Sequence, residues 1–104
     1  MPPMNPAEVR RYRKEINSAW TLVDRATLSR AFAFPSFRTA IAFVTAVAEV
    51  AEHENHHPDI HIFYQSVQLD LSTHAIKGLS QNDFILAKKI DLIEEKFRKS
   101  PPIP

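Results

Sequence analysis

The spacing of apolar residues switches repeatedly between a strand period and a helix period along this 104-residue chain. Over residues 28–34, Arg30, Phe32 and Phe34 alternate with small residues, at the period of two that is typical of a half-buried strand. Over residues 36–55, apolar residues recur every three or four positions, which is typical of a helix. Because each period fits only one type of backbone, the chain is restricted to a mixture of strands and helices.

Turn and cap signals divide the chain into seven elements. Asn5-Pro6 predicts the start of a first helix that ends near Ile16, and the run from Ser80 to Asp83 resembles the capping box of a last helix. Strands are predicted at 20–23 and 28–34, and a hairpin at 60–64 and 67–74. The order predicts an α+β fold, with helices packed on one face of a four-stranded antiparallel sheet. We expect one domain over residues 1–104, with loose tails at 1–5 and 100–104.

Composition excludes several functional classes. The chain has no cysteine, so disulfide frameworks, thiolate nucleophiles and cysteine-type zinc sites are absent. A net charge of +1 gives no reason to expect direct binding of nucleic acid or of a membrane surface. The longest apolar stretch, residues 40–48, is too short to span a bilayer. We therefore expect a cytoplasmic protein.

Four of the five histidines fall in two short segments, Glu52 to Pro58 and Thr73-His74. Histidine titrates near neutrality, so such a group can donate and accept protons at physiological pH. Glu52 and His56 are four residues apart, which predicts that they are neighbours on one helix face and that the carboxylate orients the imidazole. His57 and Pro58 are expected to leave the helix towards a cleft that His74 could approach from the opposite wall. The pattern favours acid–base chemistry.

Simpler interpretations exist for each residue. A single histidine at a helix C-terminus is more often a cap than a catalyst, Asp83 is explained by a capping box, and Thr73 is a good strand former. A metal site is the other alternative, because His53 and His57 have i, i+4 spacing beside carboxylates. Pro58 is expected to distort the helix at His57, and no recognisable zinc-ligand spacing is present, so the sequence disfavours a metal centre.

The long second helix has two apolar rows. One row should face the sheet, and it consists of Phe37, Ala40, Ile41, Val44, Ala48 and Ala51. The second row, Phe43, Val47 and Val50, then lies on roughly the opposite side. Large exposed apolar patches mark interfaces, so the second row predicts self-association.

The potential site residues together resemble the signature of the pterin-4a-carbinolamine dehydratase family. The matching positions are Glu52, His56-His57-Pro58, Tyr64, Thr73-His74 and Asp83. The similarity extends over residues 20–93, with small departures at Gln65, Lys77 and Ser80, none of which removes a titratable group.

The resemblance implies both fold and activity. Members share the α+β fold and form dimers or tetramers of dimers. Their substrate is 4a-hydroxytetrahydrobiopterin, or a related tetrahydropterin, released by aromatic amino acid hydroxylases, and loss of water from it gives the quinonoid dihydropterin without metal or cofactor. By the same resemblance, His56 and His74 form the acid–base pair, Glu52 tunes His56 and His57 binds the pterin. Thr73, Pro58 and Asp83 are expected to shape the pocket.

A non-enzymatic role is the second hypothesis. Members of the family that this chain resembles are similar to proteins that bind transcription factors or assist the assembly of other enzymes. The presence of every proton-transfer residue of the signature favours the enzyme, because a purely interacting protein has little need of them.

Overall fold

The computed structural model describes residues 2–99, and the tail predicted at 100–104 lies outside them. The elements are α1 (Pro6–Arg13), β1 (Thr21–Val23), β2 (Thr27–Ala33), α2 (Phe37–Glu54), β3 (Asp59–Phe63), β4 (Ser66–Leu71), a 3₁₀ turn (His74–Ile76) and α3 (Gln81–Lys99). The predicted element order is therefore confirmed. Among the described residues, no helix combines the length and the apolar character that crossing a membrane requires.

The four strands form one antiparallel sheet in the order β1-β2-β4-β3. Alternate residues of the two central strands face the helices, and all of them are buried: Leu28, Arg30, Phe32, Val67, Leu69 and Leu71. Their neighbours in sequence point to the opposite, uncovered face, as the period of two requires. The predicted arrangement of helices on one face of the sheet is thus confirmed.

Aromatic rings fill the space between the sheet and the helices. The ring centroids of Phe32 and Phe34 each lie 4.8 Å from that of Phe43 in α2. Asp91 of α3 accepts hydrogen bonds from Trp20 Nε1 at 2.7 Å and Arg30 Nη1 at 2.6 Å. These bonds hold α3 against the sheet, and α3 carries Asp83 towards the strands.

The prediction about the two faces of α2 is wrong. Phe43 and Val47 are completely buried in the core, whereas Phe37 is half exposed and Ala48 is exposed. Ala40 and Ala51 do lie in the core, but Ile41 and Val44 are only half-buried. The two rows lie close enough around the helix that periodicity does not rank them, and the aromatic neighbours from β2 select Phe43. The row used to predict self-association therefore belongs to the core of one chain.

Several boundaries also differ from the predictions. Trp20 precedes β1, and helix α1 ends at Arg13 rather than near Ile16. Tyr64 lies in the β3–β4 turn with a positive φ of 55°, and β4 ends at Leu71 rather than at His74. Ends of elements are weakly specified by local sequence, because turns and caps compete there with the regular backbone.

The N-terminal segment, predicted as loose, contacts the rest of the domain over its described part. The Met4 N–H donates to the Leu79 carbonyl at 2.9 Å, and the Asn5 side chain accepts from the Glu8 N–H to cap α1. Met4 also packs against the core. The segment is therefore held beside the start of α3.

Candidate active site

Helix α2 ends in a left-handed residue, and this end sets the direction of the histidine segment. Asn55 has φ 52° and ψ 41°, and its N–H bonds to the Glu52 carbonyl at 3.2 Å. The His56 N–H bonds to the Ala51 carbonyl at 3.1 Å, which completes a Schellman motif. Asparagine tolerates this conformation better than most residues. The chain turns away from the helix axis before His56, and Pro58 lies beyond the helix end.

The predicted pairing of Glu52 with His56 is wrong for this reason. Spacing of i, i+4 brings side chains together only while both residues are helical, and His56 is not. His56 instead contacts Asp83 of α3, with its Nε2 2.6 Å from Asp83 Oδ1. The Asp83 side chain is 0% exposed and the His56 side chain is 15% exposed. A buried carboxylate thus holds a largely buried imidazole, and the pair connects the end of α2 to the start of α3.

The second oxygen of Asp83 contacts the loop between β4 and α3. Thr73 Oγ1 donates to Asp83 Oδ2 at 2.8 Å, and the Ser80 N–H donates to the same oxygen at 3.0 Å. The hydroxyls of Thr73 and Ser80 are 2.7 Å apart and hydrogen-bonded. Asp83 therefore joins three partners from two segments, His56 after α2 and Thr73 and Ser80 in the β4–α3 loop. The bonds from Thr73 and Ser80 occupy Oδ2 and leave Oδ1 to His56.

Ser80 is a member of this cluster that the sequence did not single out as a site residue. The capping-box pattern predicted that Asp83 reaches back to the Ser80 N–H, and this half of the box is present. The Ser80 hydroxyl bonds to Thr73 instead of completing the box. The cap signal therefore identified Ser80 and Asp83 correctly. The Ser80 hydroxyl bonds to Thr73 because the tertiary fold brings the segment after β4 next to it.

The second histidine of the pair has a different environment. His57 Nε2 is hydrogen-bonded to Glu52 Oε2, and both side chains are mostly exposed, at 56% and 75%. Pro58 follows, half-buried, and β3 begins at the next residue. His57 and Glu52 therefore form a solvent-facing pair at the end of α2, next to the buried pair of His56 and Asp83.

His74 is presented by a short closed loop. The Thr73 N–H donates to the Gly78 carbonyl at 2.8 Å, and the backbone returns through Lys77 in the left-handed region at φ 53°. Gly78 is buried, and a Cβ built on it would lie 2.5 Å from Pro3 Cβ, so the N-terminal segment packs where a side chain would be. His74 itself is exposed. It directly follows Thr73, which shares the Asp83 carboxylate with His56.

The geometry specifies what each imidazole can do. An ionised carboxylate only accepts hydrogen bonds, so the ring nitrogen that faces it carries the proton. In both His56 and His57 that nitrogen is Nε2. The remaining nitrogen, Nδ1, is then free to accept a proton in the neutral ring and to donate one in the imidazolium. The arrangement suits proton transfer at Nδ1.

An ion pair between α2 and α3 lies close to the histidine segment. Lys89 Nζ of α3 donates to Glu54 Oε2 at 2.6 Å, and this hydrogen bond holds the pKa of Glu54 below its usual value. The contact joins the last turn of α2 to α3, close to the residue where the histidine segment begins. Within residues 2–99, there is no group of three or more His, Asp or Glu side chains that could hold a metal ion.

Comparison with protein families identifies a match over most of the chain. The family described as pterin 4 alpha carbinolamine dehydratase matches residues 2–93. A curated relative from Nitrosomonas eutropha, which carries the provisional name pterin-4-alpha-carbinolamine dehydratase, is 41% identical over 93 residues, covering 89% of this chain and 81% of the relative. A relative from Alkaliphilus metalliredigens with the same provisional name is 36% identical over 90 residues, covering 86% of this chain and 81% of its own length.

Solved structures share the fold. A crystal structure from Brucella melitensis, described as a transcriptional coactivator/pterin dehydratase, matches with a TM-score of 0.81 and 30% identity, covering 88% of this chain and 97% of that one. A pterin dehydratase-like protein described as a RuBisCO assembly factor of the alpha-carboxysome matches with a TM-score of 0.63 and 23% identity, over 74% of this chain and 90% of that one. The second likeness shows the fold alone.

Proposed function

Because this chain belongs to the pterin-4-alpha-carbinolamine dehydratase family, we propose that it dehydrates 4a-hydroxytetrahydrobiopterin or a related 4a-hydroxytetrahydropterin. The product is the quinonoid dihydropterin, and the reaction would recycle the cofactor of an aromatic amino acid hydroxylase. The observation that carries the proposal is the cluster in which Asp83 holds both His56 and Thr73, the residue before His74. It brings two separate parts of the signature to one carboxylate.

The reaction needs two proton transfers and no electron transfer. The C4a–O bond breaks as the leaving oxygen receives a proton, and the N5–H bond breaks as its proton is removed. The electron pair left on N5 forms the C4a=N5 double bond, and water is released. Groups that titrate near neutrality serve both steps, and each positioned proton transfer contributes about 10²–10⁴-fold.

We assign the two transfers to His56 and His74. His56 is the more constrained of the two, because Asp83 fixes its Nε2 and leaves Nδ1 for the substrate. His74 is exposed on its closed loop and is therefore able to approach a bound pterin. Asp83 acts as the positioning residue for His56, a role that Glu52 had been expected to fill.

The exposed pair would bind the pterin. The Nδ1 of His57 is available to the substrate because Glu52 occupies Nε2. Pro58 fixes the backbone direction at His57, and Thr73 holds the loop of His74 against Asp83. Glu52 thus remains part of the proposed site, with His57 as its partner.

The experiment is a stopped-flow measurement of dehydration with enzymatically generated 4a-hydroxypterin. The double variant His56→Ala/His74→Ala should lose all acceleration above the spontaneous rate while its circular dichroism spectrum stays unchanged. His53→Ala is the matched control, because His53 is an exposed histidine of the same segment and should have no effect. Unchanged turnover in the folded double variant would refute the assignment.

A homodimer or homotetramer is part of the proposal. The outward side of α2 carries Phe37 and Ala48, both exposed, beside the half-buried Ile41 and Val44. Phe37 also stacks on the exposed ring of Tyr64, at a centroid distance of 6.5 Å. Exposed apolar surface of this kind favours association. Sedimentation equilibrium should show a dimer or tetramer, and the dissociation constant should rise in Phe37→Ser; a monomer at micromolar concentration would contradict this part.

A non-enzymatic role in protein binding is the second candidate function. It is supported by the same exposed side of α2 and by the 30% identity to a protein described as both coactivator and dehydratase. The stopped-flow assay separates the two candidates. A folded protein without dehydration above the spontaneous rate would favour binding, and a full rate would favour the enzyme.

A further inference from the structure

A cavity between α1 and the β1–β2 hairpin is lined by three arginines and no acidic residue. Arg10 and Arg13 come from α1, and Arg25 comes from the turn between β1 and β2. The remaining lining residues are Met4, Pro6, Val9 and Leu22, all of them apolar. The volume is about 680 Å³, which is within the range of roughly 300–1,000 Å³ that small-molecule sites occupy. We refer to it as the arginine cavity.

The three guanidinium groups have no carboxylate partner within residues 2–99. Every ion pair formed there within 4.0 Å involves other cationic residues. The nearest acidic residue on α1, Glu8, is engaged in the helix cap, where its Oε1 accepts from the Asn5 N–H at 3.1 Å. Like charges at one cavity repel one another, and a bound anion would offset this repulsion.

Arg13 gives a second, independent indication. Its Nη1 is buried and has no hydrogen-bond partner among the described residues. A buried donor without an acceptor costs about 1–3 kcal/mol, and more when the group is charged. The helix dipole accounts for basic residues in the last turn of α1, but it supplies no acceptor for this nitrogen. A ligand in the cavity reaches this nitrogen only if the Arg13 side chain turns towards it, because the nitrogen is buried as the chain stands.

From these observations we propose that the arginine cavity binds a small organic phosphate. Guanidinium forks match phosphate oxygens in pairs, and a phosphate dianion balances more of the charge of three arginines than one carboxylate does. The apolar walls from Met4, Val9 and Leu22 suit an aromatic or aliphatic body attached to the phosphate. The inference is independent of the proposed dehydration, because none of these residues belongs to the histidine site.

The test is a titration of the ¹⁵N-labelled full chain, followed by backbone amide shifts. Three probes separate the contributions: phenyl phosphate, inorganic phosphate and neutral benzyl alcohol. Phenyl phosphate should shift the amides of residues 9–13 and 22–25 saturably, and it should bind more tightly than inorganic phosphate. Benzyl alcohol should cause no saturable shift. Absence of saturation by phenyl phosphate at millimolar concentration would overturn the proposal.

Two variants test whether phenyl phosphate binds because of the arginine cavity or because of the net positive charge of α1. Arg13→Gln should raise the dissociation constant of phenyl phosphate about tenfold, equivalent to about 1.4 kcal/mol. Arg11→Gln is the matched control, since it removes one charge from the same helix while its guanidinium lies 5.1 Å from the centroid of the Tyr12 ring. Equal weakening by both variants would refute a specific site. If Arg13→Gln does not fold, Arg25→Gln, in a surface turn, provides the same comparison.

Discussion

His56 and His57 are adjacent in the chain, yet the structure treats them in opposite ways. His56 is 15% exposed and bonded to a carboxylate that is fully buried, whereas His57 is 56% exposed and bonded to a carboxylate that is 75% exposed. The difference arises at Asn55, whose left-handed backbone sends His56 towards α3 and leaves His57 facing Glu52. Two identical, adjacent residues of one signature can therefore have different environments. One is held inside the protein by a buried carboxylate, and the other faces the solvent.

Replacing Asp83 and Glu52 in turn should show the difference between the two histidine–carboxylate pairs most clearly. Asp83→Ala leaves His56, the Thr73 hydroxyl and the Ser80 N–H without their shared acceptor, so the free energy of unfolding should fall by about 3–5 kcal/mol. Glu52→Ala removes an exposed pair and should lower the free energy of unfolding by less than about 1 kcal/mol. Urea unfolding of both variants measures the difference. Similar losses would mean that burial does not distinguish the two pairs.

Replacing the two histidines should separate rate from binding. His56→Gln should lower kcat by about 10²–10⁴-fold, since a positioned proton transfer is lost. His57→Gln should mainly raise KM, because its proposed role is to bind the pterin. Steady-state kinetics of both variants, with His53→Gln as the unaffected control, provide the measurement. An equal effect of both histidines on kcat would contradict the division of roles.

Ser80 tests how finely Asp83 is oriented. Ser80→Ala removes the hydroxyl bond to Thr73 but keeps the backbone N–H that donates to Asp83, so it should cost about 1 kcal/mol of stability. If the hydroxyl also positions Asp83 and thus His56, the pH–rate profile should shift as well. Ser80→Thr should restore both. A loss of stability without a change in the profile would mean that Ser80 acts only in the fold.

The smallest effect is expected at a third histidine–carboxylate pair, His61 and Asp70, on the uncovered face of the sheet. Burial raises the pKa of Asp70, but hydrogen bonds from Ser29 and Gln68, together with the charge and hydrogen bond of His61, outweigh it and hold this pKa below its usual value. A carboxyl whose pKa is lowered by folding contributes stability above its unfolded pKa, and the contribution disappears as the pH falls through the folded pKa.

Asp70→Asn should therefore lower the free energy of unfolding at neutral pH. The gap in this free energy between the variant and the unchanged protein should shrink as the pH falls below the unfolded pKa of Asp70. Urea unfolding at a series of pH values measures the difference. Since His61 is 47% exposed, the loss should be well below that of Asp83→Ala. A difference that grows towards acidic pH would contradict the sign of the shift.

Local sequence predicted the elements better than their contacts. The alternation at Arg30 and Phe32 and the helical period over residues 36–55 identify β2 and α2, because these signals depend only on neighbouring residues. The assignment of α2 faces failed, because Phe43 and Ile41 are both compatible with a helical stripe. Only the rings of Phe32 and Phe34 decide which of them enters the core.

The family signature named the residues of the candidate site, and their roles stay predictions to be tested. The resemblance named His56, Asp83 and Thr73 without their mutual contacts, because 27 residues separate His56 from Asp83 and the contact depends on how α2 packs against α3. The pairing of Glu52 with His56 followed from helical spacing, which applies only inside a helix. The capping-box pattern indicated the Ser80 N–H bond to Asp83, but it does not record the hydroxyl bond to Thr73, which the closed loop between them creates.

By itself, the sequence identified the family through its signature residues. It also determined the periods, caps and turn residues, and through them the α+β order. These are short-range properties, since each depends on the backbone preferences of a few consecutive residues. The tertiary structure alone decided that His56 turns to a buried carboxylate while His57 stays with an exposed one. That choice depends on the burial of Asp83 between the end of α2 and the β4–α3 loop, and burial is a property of the whole packed chain.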